Sequence, residues 1–292
     1  MLVGQGLPLA LALQTMGLSK SCFYYKPKGY ISKRSKKPLD PVLVDALASL
    51  QGYEQTLGYD KLTSYFRTVK KGIFNHKKVY RHMKTLRLLQ PKNVKKSRLG
   101  KKKTLDVALY SPLTSNVKWE ADLTYVTYDN GHLYLFTVID VFDRELIGSW
   151  SGLRCRAEEA VEALEQAVKK RFPDGFIPAG LTVTVRVDRG CQYTAEQFGN
   201  AARRLGLLVE YCDVQAPNQK AFIESFYSRY KREEVYRNDY ANPIEASAAW
   251  YRYQEWYNNH RPHGSLKNLS PIQFRTNIAQ NTPKIEPVFC PI

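Results

Sequence analysis

The stretch from Trp119 to Ile139 constrains the fold more than any other part of the chain. Trp119–Tyr128 alternates apolar and polar residues and is rich in β-formers, Asp129-Asn130-Gly131 is a hairpin turn signal, and His132–Ile139 is a second β-rich run. Two strands joined by so short a turn must pair antiparallel, so the chain builds a sheet. A third strand is expected at Arg144–Ser151. Helix and strand then alternate: an amphipathic helix at Glu158–Arg171, a short apolar strand at Leu181–Val187, a helix at Thr194–Leu205, a strand at Leu207–Cys212, and a helical pattern from about Asn218 to Val235. Three antiparallel strands followed by this alternation predict an α/β ribonuclease-H-like core, a mixed five-stranded sheet with helices, over residues 118–236.

What precedes the core reads as all-α and basic. Leu7–Met16 has a helical pattern, Gly17 ends it, and Ser19 is placed to cap Lys20–Tyr25, which makes residues 1–29 a helix-turn-helix. Leu7–Leu13 is apolar, but the first basic residue is Lys20, so an amphipathic helix is expected there rather than a signal peptide. Residues 30–39 form a basic linker. Residues 40–89 predict a second helix-turn-helix, with a winged-helix variant left open. Its helices would begin after Asp40, run from about Gly58 to Thr68, and run from His76 to Leu89 with Asn75 as cap. On the last of these Val79, Met83 and Leu86 form one stripe, and Lys77, Arg81 and Lys84, with Lys78 beside them, form another. An apolar stripe opposite a basic one suits a helix laid in a major groove. Residues 90–117 are again linker-like and basic, with Lys101, Lys102 and Lys103 suited to lie along phosphates.

The charge follows the same division. The chain of 292 residues holds 44 Lys+Arg against 27 Asp+Glu, a formal net charge of +17. All of that excess lies before Lys118, and beyond it acids and bases balance. Such a charge calls for a polyanionic partner, most simply nucleic acid. The five cysteines contain no Cys-x-x-Cys pair and the histidines no zinc spacing, so neither a disulfide framework nor a zinc ribbon is expected. No stretch reaches the ~20 apolar residues of a membrane span, and a cytoplasmic location is expected. The C-terminal part, 237–292, reads as a helical extension and tail.

Three acids stand out in the core. Asp122 lies inside the first strand, where a carboxylate is costly unless it has a partner. Asp188 follows the apolar strand Leu181–Val187, and Glu224 lies on the last core helix beside Phe222, Phe226 and Tyr230, which share its buried face. Three carboxylates without a His/Cys cluster suit a hard cation, Mg²⁺ or Mn²⁺. Two such ions can serve an in-line displacement at a phosphodiester.

The surroundings of these acids are Asp122-Leu123-Thr124-Tyr125, Asp188-Arg189-Gly190-Cys191-Gln192-Tyr193 and Ile223-Glu224-Ser225-Phe226, followed by Tyr257-Asn258-Asn259-His260-Arg261-Pro262-His263 and Leu269-Ser270-Pro271. Together they resemble the DDE core of retroviral integrases and bacterial insertion-sequence transposases, and most of all the second-reading-frame product of the insertion-sequence-three family. The resemblance runs from the first helix-turn-helix to Phe274. It implies that Asp122, Asp188 and Glu224 are the catalytic, metal-binding triad, with two ions per site, and that Lys231, seven residues after Glu224, works against terminal DNA. It further implies cleavage and strand transfer at insertion-sequence ends, with a first joining between the two ends.

The implied partners are double-stranded DNA (terminal inverted repeats and target), a further copy of the chain, and the family's first-frame product or its fusion. Such a protein would be nucleoid-associated when bound to DNA. The chain departs from the family at Lys220, where many relatives carry Asn one helical turn before the Glu. A lysine there can clamp phosphate, or pair with Glu224 and compete with a metal. An alternative reading is a catalytically inactive or regulatory DNA-binding derivative. A retroviral-type integrase with an N-terminal zinc module is excluded, since residues 1–117 hold one Cys and two His.

Overall fold

The computed structural model describes residues 8–25, 37–91, 112–213 and 217–281, so Lys101, Lys102 and Lys103 lie outside the described residues. The chain divides into two compact units, Met1–Asp40 and Pro41–Ile292. In the first, α1 (Leu9–Thr15) and α2 (Lys20–Phe23) are separated by a tight turn. Gly17 takes φ +63° there, and the Leu18 amide reaches back to the Leu13 carbonyl to close the helix. The Ser19 hydroxyl then accepts from the Cys22 amide and starts α2.

The second unit opens with α3 (Pro41–Ala48), α4 (Tyr59–Thr68) and α5 (His76–Thr85). The Asn75 side chain caps α5 by accepting from the Lys77 amide at 2.9 Å. That helix ends one turn earlier than its apolar stripe suggests. Arg87 adopts φ +58°, and the Leu88 amide bonds the Met83 carbonyl at 2.8 Å. This is a left-handed cap built on arginine where the sequence offers no glycine to announce it.

The sheet is formed by β1 (Lys118–Tyr128), β2 (Gly131–Asp140), β3 (Leu146–Gly152), β4 (Val183–Val187) and β5 (Leu207–Tyr211), in the order β3-β2-β1-β4-β5. β1–β2 and β2–β3 are antiparallel, and β1–β4 and β4–β5 are parallel. This is the mixed five-stranded ribonuclease-H-like sheet. Between the strands run α6 (Ala157–Arg171), α7 (Cys191–Thr194) and α8 (Glu196–Arg204), followed by α9 (Ala221–Glu233), α10 (Pro243–Asn259) and α11 (Pro271–Asn281). The helix expected at Thr194–Leu205 is present as α8 and starts two residues later, because Ala195 is extended and serves as its N-cap.

Each face of the sheet has its own core. On one, Trp119, Ala121, Phe136 and Val138 pack against Ala163, Leu164 and Ala167 of α6 and Phe198 and Ala202 of α8. Gly148 of β3 lies so close to α6 that an added Cβ would sit 2.1 Å from the Ala163 carbonyl oxygen. On the other face, Val126, Leu133 and Leu135 pack with Ile223, Phe226 and Tyr230 of α9 and Trp250, Tyr253 and Tyr257 of α10. Leu43, Leu62, Phe66, Val79 and Met83 of α3–α5 belong to this same apolar cluster. Tyr53 and Tyr65 meet Trp256 at ring separations of 6.0 and 5.5 Å. The stripe Val79/Met83 is thus buried against a core that continues into α10. Among the described residues no helix is long and apolar enough to cross a membrane. Cys22, Cys155, Cys191 and Cys212 are free thiols.

Candidate active site

Strand register places the first two acids. β1 pairs with β2 along its whole length, but with β4 over three residues only, from Lys118↔Thr184 to Glu120↔Arg186. Carrying that register two residues further sets Asp122 level with Asp188, at the point where the two strands have ceased to bond. A crevice at the carboxyl end of parallel strands, where neighbouring strands change direction, is where open α/β sheets place their sites. Side-chain alternation along β1 sends Trp119 and Ala121 to the α6 core and turns Glu120 and Asp122 towards α9.

Helix α9 closes the crevice. Its N-cap residue, Lys220, is buried and donates to Asp122 Oδ1 at 2.6 Å and to Asp188 Oδ2 at 3.1 Å. Its partners are therefore the two strand acids and not Glu224. Glu224 is exposed in the first turn of α9, one turn beyond Lys220. Three contacts hold the helix in place. The buried Glu120 carboxylate accepts from the Ile223 amide at 2.9 Å, which caps a free N-terminal donor. The Tyr227 hydroxyl donates to the Asp122 carbonyl at 2.8 Å. Arg186 donates to the Gln219 carbonyl at 2.7 Å while its other nitrogen meets Glu210 at 2.8 Å. Sequence reasoning passed over Glu120. Its signal was its place two residues before Asp122, on the same face of the strand.

The electrostatics are those of acids crowded in a partly dry crevice. Burial raises the Asp122 carboxyl above its ordinary value, Lys220 opposes the rise and Asp188 adds to it. Glu224 is raised by burial first and by the charge of Asp122 next, against Lys220. Burial alone would lower Lys220, but Asp122 and Asp188 together hold it above the ordinary lysine value. Glu120 is pushed up to about 7, because burial outweighs its amide bonds and the nearby Arg186 and Arg144.

The donors fit a hard divalent cation in type: carboxylate oxygens, two of them level across the strand fork and already sharing one positive charge. In the present arrangement that charge is an ammonium, and among the described residues no three acids, histidines or cysteines converge tightly enough to chelate an ion. Lys220 thus occupies the position between the two strand acids.

The remaining residues singled out in sequence fall in different places. Lys231 lies one helical heptad beyond Glu224, with its ammonium 5.7 Å from the centre of the Tyr125 ring. Lys77 and Lys84 are exposed on α5, and Lys78 and Arg81 are half-buried. The Tyr257–His263 motif is largely internal. Asn258 both accepts from the Leu146 amide (2.9 Å) and donates to the Leu146 carbonyl (3.0 Å), which extends the edge of β3 with a side-chain amide. Arg261 forms a buried two-pronged pair with Glu233, at 2.8 and 2.5 Å. His263 stands edge-on to Tyr257 at 4.6 Å, and burial followed by neighbouring Arg261 holds its imidazole well below the ordinary histidine value.

A ribonuclease-H-like sheet with acids at the fork defines a class of nucleic-acid enzyme cores, and the comparisons agree. Two family models, both described as integrase core domain, match residues 112–217 and 205–271. The transposase of insertion sequence element IS904 from Lactococcus lactis is 30% identical over 168 residues, 57% of this chain and 64% of the relative. A 31 kDa protein of insertion element IS600 from Shigella sonnei is 33% identical, over 59% of this chain and 61% of the relative. The putative transposase InsK of IS150 from Escherichia coli is 27% identical over 92% of this chain and 93% of its own length. The matched region thus spans a little over three fifths of the first two relatives. Among solved structures, the simian T-cell lymphotropic virus intasome aligns with TM-score 0.47 at 19% identity, over 62% of this chain and 60% of that one. The HTLV-2 integrase catalytic core in complex with magnesium aligns with TM-score 0.43 at 13% identity, over 56% and 98%. Residues 112–271 are thus similar to the integrase core domain, and the relatives that share this region include transposases of bacterial insertion sequences.

Proposed function

We propose that this chain is a DDE-type polynucleotidyl transferase that cleaves and joins DNA strands at the ends of an insertion sequence. The observation that carries the reading is the fork: Asp122 and Asp188 stand level on diverging strands and share one cation, with Glu224 on the helix that closes the gap. In the first step water attacks the phosphorus of a terminal phosphodiester and the 3′ oxygen leaves with a proton, giving a 3′-hydroxyl and a 5′-phosphate. In the second, that hydroxyl attacks another phosphodiester, one P–O bond forming as one breaks, so no outside energy source is needed. Asp122, Asp188 and Glu224 would hold Mg²⁺ or Mn²⁺, and a pair of such ions supplies activation of the attacking oxygen and charge stabilisation of the leaving one.

The protein groups set the frame for that chemistry. Glu120 and Tyr227 fix α9 against β1, and so fix Glu224 relative to Asp122. Lys220 keeps the two strand acids from repelling each other until the ions arrive. Lys231 and the exposed lysines of α5 would contact the DNA backbone, as would Lys101–Lys103 of the linker. A dimer or larger assembly on DNA holds two ends at once, the first-frame product or its fusion completes the machine, and the site of action is the nucleoid in the cytoplasm.

The test is strand joining on a supercoiled plasmid carrying the element's ends, with Mg²⁺. Asp122→Asn, Asp188→Asn and Glu224→Gln are each expected to reduce joining by more than about 10³-fold, while end binding measured by gel shift stays within about threefold of wild type. Joining at the wild-type rate by any one of the three would overturn the assignment.

A further inference from the structure

A second basic site lies within the Pro41–Ile292 unit, at the opposite end of α9 from the acids. The start of α4, Gln90 and Pro91 after α5, the last turn of α9 and Arg261 beyond α10 enclose a cavity of about 500 Å³. Lys61, Arg232, Arg237 and Arg261 line it, against Asp60 and Glu233. The Glu233 carboxylate is already taken up by the two-pronged Arg261 pair and by the Tyr253 hydroxyl at 3.1 Å. That leaves Lys61, Arg232 and Arg237 facing the cavity, offset by the exposed Asp60 and in part by the already engaged Glu233. Neither Lys61 nor Arg232 has an ion pair among the described residues, although Lys61 is half-buried. The first turn of α4 also enters the cavity, and its N-cap, Gly58, offers no side chain to its free amides.

We propose that this cavity binds a phosphate of the DNA backbone, with Lys61, Arg232 and Arg237 as its contacts. The proposal rests on the transposase reading for the identity of the polyanion, and on the cavity alone for the site. A cluster in which cations outnumber acids is costly to assemble in a fold, and an oxyanion relieves the repulsion with charge-assisted hydrogen bonds. The state of Lys61 agrees. Burial, then Arg261, Arg229 and Arg232, push its ammonium down to about 8, and Glu233 only partly offsets them. A bound phosphate would raise it again, so binding between pH 8 and 9 takes up protons. The contacts come from α4 and from α9, so one strand held here is fixed at once to the N-terminal helices and to the helix that carries Glu224.

The experiment is fluorescence anisotropy of a labelled duplex containing the element's end, over a series of salt concentrations. Lys61→Ala/Arg232→Ala is compared with Lys169→Ala/Arg203→Ala, which removes the same charge from exposed positions on the other face of the sheet. Loss of the phosphate contact lowers the slope of log affinity against log salt by about 1 and weakens binding by about tenfold at moderate salt. The control pair should leave the slope within about half a unit of wild type. Lys61→Arg should restore most of it. Should the double variant fail to fold, as judged by its melting curve, Arg237→Ala and competition by pyrophosphate on the wild type read the same site. Equal slopes for the cavity and control variants overturn the proposal. So does pyrophosphate binding that Lys61→Ala abolishes while the duplex slope is untouched, since the cavity would then serve a small anion. Failure of the wild type to bind duplex at all would instead overturn the transposase reading.

Discussion

Helix α9 carries a buried ion cluster at each end, and the two are built on opposite plans. At its C-terminal end, Arg261 and Glu233 are paired through two short bonds, with Tyr253 donating a third. The guanidinium fork matches the carboxylate, and both groups are buried. At its N-terminal end one ammonium is divided between two carboxylates on different strands, and the Asp188 side chain remains 42% exposed. Arginine with a single acid makes a permanent joint. Lysine with two acids makes a placeholder, a point charge on a flexible stem that another cation can displace. The same helix is thereby fixed at one end and left exchangeable at the other, and the acids proposed for the chemistry are at the exchangeable end.

Removing one partner from the closed pair should have the largest effect. Arg261→Leu leaves Glu233 buried and uncompensated and should destabilise the protein by about 3–5 kcal/mol in urea unfolding. A cost under about 1 kcal/mol would show that this joint is no firmer than a surface pair, and the contrast would fail.

The placeholder should respond to metal rather than to denaturant. Lys220→Asn removes the ammonium from the fork. Without divalent ions its melting temperature should fall on the order of 2–4 °C, because Asp122 and Asp188 then face each other unscreened. Adding Mn²⁺ should raise the variant's melting temperature more than the wild type's. An equal rise in both would mean that Lys220 does not compete with metal.

The smallest effect concerns the cap. Glu120 has its folded value pushed up to about 7, above the unfolded carboxylate value. Its contribution to stability is therefore full below the unfolded value and is lost as pH rises through about 7. The wild type should lose on the order of 1 kcal/mol between pH 6 and pH 8 that Glu120→Gln does not lose, as read from paired urea titrations. Parallel pH dependence in the two proteins would remove Glu120 from this role.

The sheet and its acids were legible because their signals are local. The β-rich runs around Asn130-Gly131 dictate the hairpin, and the apolar run before Asp188 marks a strand end. The partners of Lys220 were not legible, since Asp122 stands 98 positions away in sequence and only the β1–β4 register joins them. The end of α5 was missed because arginine, not glycine, takes the left-handed cap. The Tyr257–His263 motif shows its meaning only in three dimensions, where Asn258 completes the backbone of β3 and Arg261 locks α9. The basic cavity was invisible for the same reason: Lys61 and Arg232 belong to helices far apart in the chain.

The short pairing of β1 with β4 has one more consequence. The gap between Asp122 and Asp188 is set by backbone, with β1 held by ten residues of β2 and β4 held by five of β5. It is a slot cut by topology, open where the pairing of β1 with β4 ends. On the reading proposed above, a variant without the two acids would keep the slot, and with it a place for a strand to lie.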